Sequence, residues 1–566
     1  MALLLKKIKR YLRGKFRSDL SAGLTVAMVV IPQSMAYAAI AGINPVYGLF
    51  TAIIPTIIAA IFGSFPFLIT GPTNPTALVT ASVLLPYANL PDYFEFVVAL
   101  AVFSGIFNII FGLLKLGFLS RYISNSVLVG FLSAAGILVI VNQVGSLLGL
   151  QLSRTDRLWE RIIQIFSNLS KVNLYAMALG ILSIGLMLAL RKINRKLPAA
   201  LVTILVSSLF VFLTGWNETQ GVRIVGDTGL PENITLGFHL PDIPFGEISS
   251  LVLSGAAVAL FGFMETVSVS KSMSQMSGTP FNPSQEMIGQ GLACFIGGFF
   301  QCMPSSGSPS RTVMNVVNGA KTKFSAIFSG LSVLTFVLLF SRLISFVPVP
   351  ALAAVVVVSA AGLININLIK LTWQSHLKSA AVMTITFVSA LTLPLQYAIY
   401  LGILSTILIY LGEKSRVNLS YLVINEHGQY FELPLEKIKE NQSKIVIVNI
   451  EGDLYFAAVE DLKNQIEGIF DTNIKVLILR FRRTHLLAST GIMAFDQLLQ
   501  SAREKGVKVM FCGIQDEVLD PLKDAGLTEI LGESAIFQAD SQLFSSTQRA
   551  LEHANKIIDE KKSKEM

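Results

Sequence analysis

Residues 305–312 read Ser305-Ser306-Gly307-Ser308-Pro309-Ser310-Arg311-Thr312, and the short apolar run Val313–Val317 follows before Asn318-Gly319-Ala320-Lys321 ends it. Residues 287–310 carry no Asp, Glu, Lys or Arg, so Arg311 is a single charge in an uncharged stretch. A Gly/Ser/Pro break followed by too few apolar residues to cross a bilayer predicts a half-helix. An Arg at its start adds a fixed positive charge to the positive end of the helix dipole. A charge at membrane depth costs roughly 2.5–3.5 kcal/mol or more, which marks it as functional. Binding an anion is the natural task. A second break lies early in the chain: Thr70-Gly71-Pro72-Thr73-Asn74-Pro75-Thr76-Ala77 precedes the short run Leu78–Leu85. Interrupted short segments in corresponding places of two halves point to a transporter's binding site. If both N-termini face one cavity, each offers about half a positive charge, and with Arg311 the site approaches roughly +2. That suits a small, multiply charged or strongly hydrated anion.

Around these breaks the chain is a membrane protein. Of 566 residues, 52% are hydrophobic and only 14% charged, where a soluble chain carries about 25% charged residues. Residues 20–91 hold no charged side chain, enough for two spans and a half-span at ~20 residues each. Similar runs at 96–114, 122–153, 172–190, 197–217, 324–341, 343–369 and 379–412, with 248–270 interrupted only by Glu265, predict twelve full spans and two half-spans. They fall into halves of seven elements, about 18–215 and 248–412, each with its broken segment third. Seven is odd, so the second half enters from the opposite side. The result is an inverted repeat that brings the two half-helices together near the midplane.

Lys6, Lys7, Lys9, Arg10, Arg13, Lys15 and Arg17 precede an apolar run too long for a signal peptide. They place the N-terminus in the cytoplasm. Arg191–Lys196, Lys321, Lys323, Lys414 and Arg416 fall on the same side if segments alternate. The 215–247 loop falls outside, where Glu218, Asp227, Glu232, Asp242 and Glu247 outnumber Arg223. The net charge of +8 therefore reflects topology, and nucleic acid is not an expected partner. Cys294, Cys302 and Cys512 are too few and scattered for a disulfide framework. No metal-ligand spacing, GxSxG or Walker loop is present, so neither an enzyme nor an ATP-driven pump is expected, and no cofactor is implied. Asn233-Ile234-Thr235 is a formal glycosylation triplet.

Five parts are expected: a basic arm at 1–17, a membrane domain at 18–412, a linker at 413–439 with a hairpin of 417–424 and 429–433, a cytoplasmic domain at 440–556, and a charged tail at 557–566. In the cytoplasmic domain, strands at 444–450, 475–482 and 507–512 alternate with helices at 457–470, 490–505 and 515–525. Tyr455-Phe456 ends a further strand, and a last helix covers 542–556. Strands alternating with helices at this spacing make a small α/β domain.

Asp19-Leu20-Ser21-Ala22-Gly23-Leu24-Thr25, Ile31-Pro32-Gln33-Ser34-Met35-Ala36-Tyr37-Ala38, Pro45-Val46-Tyr47-Gly48-Leu49, Ser306–Thr312 and Gly319-Ala320-Lys321-Thr322 resemble the SulP (sulfate permease) family, related to prestin and pendrin. The resemblance covers nearly the whole chain, and the tail resembles the STAS domain that closes such chains. It implies fourteen segments, seven plus seven inverted, a substrate site between the third and tenth, and a homodimer. Gln33 and Tyr37 then line the pocket, Thr73, Asn74 and Thr76 open the third segment, and Ser310, Arg311 and Thr312 open the tenth. The family's acidic positions on the eighth segment imply cation coupling at Glu265, a lone carboxyl able to carry a proton. In the tail, Ala488 replaces the family's common Asp before Ser489-Thr490-Gly491. A phospho-switch there is not expected, and Ser489 or Thr490 is expected to cap a helix.

The sequence thus predicts a secondary active transporter of inorganic anions in a bacterial inner membrane, working by an elevator-like alternating access. Sulfate with co-transported protons comes first. Bicarbonate or a dicarboxylate, with sodium or by exchange, is the alternative, and an anion channel or a regulatory scaffold built on the STAS tail stands behind both.

Overall fold

A computed structural model describes residues 11–565 apart from 13, 122–123, 154, 156, 195–196, 229–235, 415–416, 426, 428, 441–442, 455, 485 and 543. Most of the basic arm (1–10 and 13), Arg195, Lys196, Glu232, the triplet 233–235, Arg416 and Tyr455 thus lie outside the described residues. The chain forms two compact units, Met1–Ile407 and Leu408–Met566.

Among the described residues the first unit holds fourteen segments, the last of which runs on past Ile407: α1 (Phe16–Ala41), α2 (Pro45–Phe62), α3 (Asn74–Val83), α4 (Tyr93–Leu113), α5 (Asn125–Leu147), α6 (Leu174–Ile193), α7 (Ala199–Thr214), α8 (Ile248–Ser277), α9 (Pro283–Gly298), α10 (Pro309–Val317), α11 (Phe324–Ser345), α12 (Val349–Ala361), α13 (Leu377–Thr392) and α14 (Leu395–Lys414). By length and composition, seven helices among the described residues are long and apolar enough to cross a membrane, and four more are shorter apolar helices. α3 and α10 are the half-helices, each about 15 Å long at 1.5 Å per residue, half a bilayer core.

Packing partners repeat on adding seven. α4 packs on α9 as α11 packs on α2, and α5 packs on α13 as α12 packs on α6. α1 meets α10 and α11 as α8 meets α3 and α4. This exchange is the signature of an inverted repeat. The strongest of these pairings divide the segments into two groups, α1–α4 with α8–α11 and α5–α7 with α12–α14, α7 joining through α6 and α14 through Gly402 against Thr386 and Val127. Two short amphipathic helices were not foreseen: Leu158–Ser167 and Ile366–Ser375 each follow the fifth segment of their half.

Lipid tails are as apolar as leucine, so helix association within a bilayer depends on close packing of small residues. At the α4–α9 contact, a methyl at Gly105 would collide with the backbone N of Phe295 and reach within 2.8 Å of the Gly291 carbonyl.

The second unit carries a six-stranded sheet in the order β4-β3-β5-β6-β7-β8. β3 (Asn418–Ile424) pairs antiparallel with β4 (Tyr430–Pro434) and with β5 (Ile445–Glu451). β6 (Val476–Arg483), β7 (Lys508–Ile514) and β8 (Ile536–Gln538) continue in parallel. Strand alternation feeds two cores. Val446, Val448, Leu477, Leu479 and Phe481 face α15 (Phe456–Phe470) and α16 (Ser489–Glu504). Ile447, Ile478, Met510 and Cys512 face the last helix (Ser545–Glu565). On that face Arg480 is buried, donating to Asn449 Oδ1 at 3.0 Å and Thr547 Oγ1 at 3.1 Å, with its guanidinium 4.6 Å from the Phe544 ring centroid. Burial pushes the Cys512 thiol up to about 12, so it stays protonated and unreactive.

Two expectations for this unit need correction. Phe456 begins α15 rather than ending a strand, and Leu454 forms an isolated bridge to Leu487. The N-cap of α16 is Ala488, with no side-chain cap, so Ser489 and Thr490 sit exposed in the first turn rather than closing it.

Replacing Gly105 with Val should cost roughly 1–3 kcal/mol by overpacking and lower the melting temperature of the detergent-solubilised chain. Gly185, where an added methyl would meet nothing within 4 Å, should accept Val without loss.

Candidate anion site at the crossing half-helices

Irregular backbone survives at membrane depth only where protein satisfies its polar groups. The lead-ins to the two half-helices satisfy each other. β1 (Thr70–Gly71) and β2 (Ser306–Gly307) pair antiparallel, with Thr70 opposite Gly307 and Gly71 opposite Ser306. Ser308 N donates to Ile69 O at 2.9 Å. Side chains absorb the rest. Thr56 Oγ1 donates to Thr70 O at 2.6 Å, Gly307 N donates to Thr266 Oγ1 at 2.9 Å, and Met303 N donates to Thr51 Oγ1 at 3.0 Å. Gln290 bridges both lead-ins, accepting from Thr70 Oγ1 at 3.2 Å and donating to Ser305 O at 2.7 Å.

From this crossing α3 and α10 depart. Thr73 caps α3, its Oγ1 accepting from Thr76 N at 3.3 Å. α10 has no side-chain cap at Ser308, so its first-turn N–H groups are not closed by a side chain.

The predicted residues divide by what they touch. Thr73 and Thr76 give their hydroxyls to Glu265 Oε2 at 2.9 and 3.3 Å, and Ser306 donates to the same oxygen at 2.5 Å. The three hydroxyls also contact one another at 2.7–3.0 Å. Thr312 is buried with its Oγ1 accepting from Ile69 N at 3.1 Å, so it fastens α10 to the opposite lead-in. Arg311 is 1% exposed and donates through Nη2 to the carbonyl of Pro72. Its Nε and Nη1 are buried without a hydrogen-bond partner, as are Gln33 Oε1 and both amide atoms of Asn74. Among the described residues no ion pair joins Arg311 to Glu265. Tyr37 is buried one turn beyond Gln33 on α1. Ser310 is exposed at the open end of α10.

Sequence reasoning missed Ser306, the third hydroxyl on Glu265, and the posts Thr51, Thr56, Thr266 and Gln290. Thr51, Thr56, Thr266 and Gln290 are polar residues in largely apolar runs, the signal that could have marked them, while Ser306 was one serine among several in the break.

Residues 16–386 match the sulfate permease family, and residues 436–550 match the STAS domain. The chain belongs to the sulfate permease family. It is 25% identical over 536 residues to the putative sulfate transporter YvdB of Bacillus subtilis, covering 94% of this chain and 98% of that protein. It is 28% identical to low affinity sulfate transporter 3 of Stylosanthes hamata, covering 94% and 88%. Among solved structures, SLC26A9 superposes with a TM-score of 0.85 at 18% identity, over 99% of this chain and 93% of that one. The transmembrane domain of a cyanobacterium bicarbonate transporter, BicA, superposes at 0.60 and 23% identity, over 69% and 97%. This sulfate permease member is thus an anion transporter with a polytopic helical membrane domain and a STAS domain.

Gly71 holds a positive φ of 153°, and a methyl there would lie 2.9 Å from Arg311 Nη1. Gly71→Ala should displace the guanidinium and weaken anion binding about tenfold, roughly the 1.4 kcal/mol expected of one lost charge-assisted contact. Equilibrium sulfate binding to the purified chain reads this directly.

Proposed function

We propose that the protein takes up sulfate by proton symport, with Gln33, Tyr37, Thr73, Asn74, Thr76, Ser310, Arg311 and Thr312 forming the substrate site and Glu265 carrying the proton. The observation that carries this reading is the set of buried polar atoms on Gln33, Asn74 and Arg311 that have no protein partner. They belong to both halves of the repeat and sit beside the two half-helix N-termini. Unpaired buried donors are costly, and an oxyanion between α3 and α10 relieves that cost by accepting from Arg311 Nε and Nη1, from the Asn74 N–H₂ and, with its amide turned, from Gln33.

Charge balance supplies the coupling. Arg311 and two helix N-termini sum to roughly +2. An ionised Glu265 lowers that to about +1 and occupies the hydroxyls of Thr73, Thr76 and Ser306. Protonation neutralises the carboxyl, restores about +2, and frees those hydroxyls to donate to the anion. Proton and dianion therefore bind with positive cooperativity, and by linkage each raises the other's affinity. Coupling is also needed energetically: a dianion entering against 100 mV costs about 4.6 kcal/mol, at ~2.3 kcal/mol per charge.

Alternating access moves the group holding the site, α1–α4 with α8–α11, against α5–α7 with α12–α14, like an elevator. The protein sits in the inner membrane of a bacterial cell with the N-terminus and STAS domain cytoplasmic, as a homodimer surrounded by lipid. The STAS domain, bounded near 440 and 556, serves as scaffold.

Bicarbonate is the second reading. It carries one O–H, which Gln33 Oε1 can accept, whereas sulfate needs Gln33 to present its N–H₂. The structural likeness to a bicarbonate transporter concerns the fold and does not choose between them. Labelled sulfate uptake into proteoliposomes under an inward proton gradient, with excess cold bicarbonate or succinate, decides. Accumulation that only sulfate-like oxyanions compete supports the reading. No sulfate uptake overturns it and reassigns the substrate.

Sulfate affinity should rise as pH falls, because the proton-bound form of Glu265 favours the dianion. Glu265→Gln should hold the acid-side affinity at every pH and lose proton-driven accumulation. An unchanged pH profile in that variant would sink the role of Glu265.

A further inference from the structure

A polar cavity of about 410 Å³ lies away from the half-helix crossing. It is bounded by the C-terminal ends of α1, α3 and α5, by the start of α14, by the amphipathic helix Leu158–Ser167 and by Arg223. On the topology proposed above it opens on the outer side. α3 connects the two places: its first turn stands at the crossing, and Leu78, Ala81 and Ser82 line this cavity.

The lining has a definite chemical sense. Arg161 is the buried residue of its amphipathic helix, 9% exposed. Its Nε donates to Asn142 Oδ1 at 2.8 Å and its Nη1 to Gln164 Oε1 at 3.2 Å. Asn142 thus spends its oxygen on Arg161, and its N–H₂ has no protein partner among the described residues. Gln164 is likewise turned, donating to Ser153 Oγ at 2.7 Å. No carboxylate pairs with Arg161 or Arg223 among the described residues. The nearest acid on the same helix, Glu160, binds Thr155 Oγ1 at 2.6 Å and Arg157 at 3.1 Å instead. Neither Asp nor Glu lines the cavity among those residues. Burial lowers the Arg161 pKa from its ordinary value, the sign for a cation without a countercharge. What the network presents is donors: guanidinium N–H groups and an amide N–H₂.

The opposing field is that of three helix C-termini, about half a negative charge each. Several of their last carbonyls are closed by backbone bonds, such as Ile43 N to Ala38 O at 3.0 Å and Leu150 N to Gly145 O at 2.8 Å. Two arginines therefore leave the cavity modestly positive. That balance suits brief residence rather than tight capture.

We propose that this cavity is a second anion site, in which Arg161 and Asn142, with Arg223, hold a small oxyanion before it passes along α3 to the half-helix crossing. The inference rests on the reading of the protein as an oxyanion transporter, and it adds a station that the central site does not contain.

The test uses the full chain in lipid nanodiscs, with Ser146→Cys, a small half-buried residue of the same cavity, as a reporter for a thiol reagent. Arg311→Gln is introduced to disable the central site. Sulfate, compared with gluconate at constant ionic strength, should slow modification at least threefold in that background. Adding Arg161→Gln should abolish the protection, and Arg161→Lys should retain part of it. Size-exclusion profiles and the unprotected modification rate report folding for each variant, and Asn142→Asp, which adds a negative charge while leaving Arg161 in place, should also abolish protection. Absence of protection in the Arg311→Gln background, or protection that survives Arg161→Gln, overturns the proposal. Transport that persists in Arg311→Gln would instead defeat the central-site reading, so the two failures are distinguishable.

Discussion

The structure depends on the backbone pairing of β1 with β2 at the centre of the membrane unit. Two chain segments abandon helical hydrogen bonding where no water is available, and each unsatisfied amide or carbonyl there costs several kcal/mol. The four-residue ladder, Thr70–Gly71 against Ser306–Gly307, meets part of that demand, and Thr51, Thr56, Thr266 and Gln290 meet more of it. Because the ladder joins residues more than two hundred positions apart, it also makes one site from two halves of the chain. The half-helices point their N-termini where they do because their lead-ins are tied together.

Charge is distributed around that crossing in an unsymmetrical way. The first half contributes hydroxyls and the two amides of Gln33 and Asn74, and the second contributes Arg311, Glu265 and the hydroxyl of Ser306. The two charged groups do not pair with each other. Arg311 leans on the Pro72 carbonyl and keeps Nε and Nη1 unpartnered, while Glu265 gathers three hydroxyls on one oxygen. An ion pair would have neutralised both charges and held the carboxyl ionised. Kept apart, they remain able to respond to an anion and to a proton, which is the physical basis for the coupling proposed here.

The breaks before α3 and α10 were legible because clustered Gly, Pro, Asn and Ser interrupt long runs that hold no charged side chain, and Arg311 and Glu265 because each is a lone charge in such a run. The strands of the STAS domain were legible from β-branched runs, with ends within a residue or two for β5, β6 and β7. Partnerships were not. Nothing local shows that Ser306 shares Glu265 with Thr73 and Thr76, or that Thr312 holds Ile69, since those contacts cross from one half of the repeat to the other. The amphipathic helices were hidden because ten residues give too few turns for a period to stand out between apolar spans. The cap of α16 was misplaced by one residue, since Ser489 and Thr490 have the right chemistry for an N-cap but the chain turns at Ala488.

The most direct test of the central claim is a structure of the full chain in nanodiscs at saturating selenate, an electron-rich sulfate analogue. The account predicts density between the first turns of α3 and α10, within hydrogen-bonding reach of Asn74 and the free nitrogens of Arg311. Selenate bound without touching either half-helix, or a crossing that stays empty at concentrations that block sulfate uptake, would contradict it.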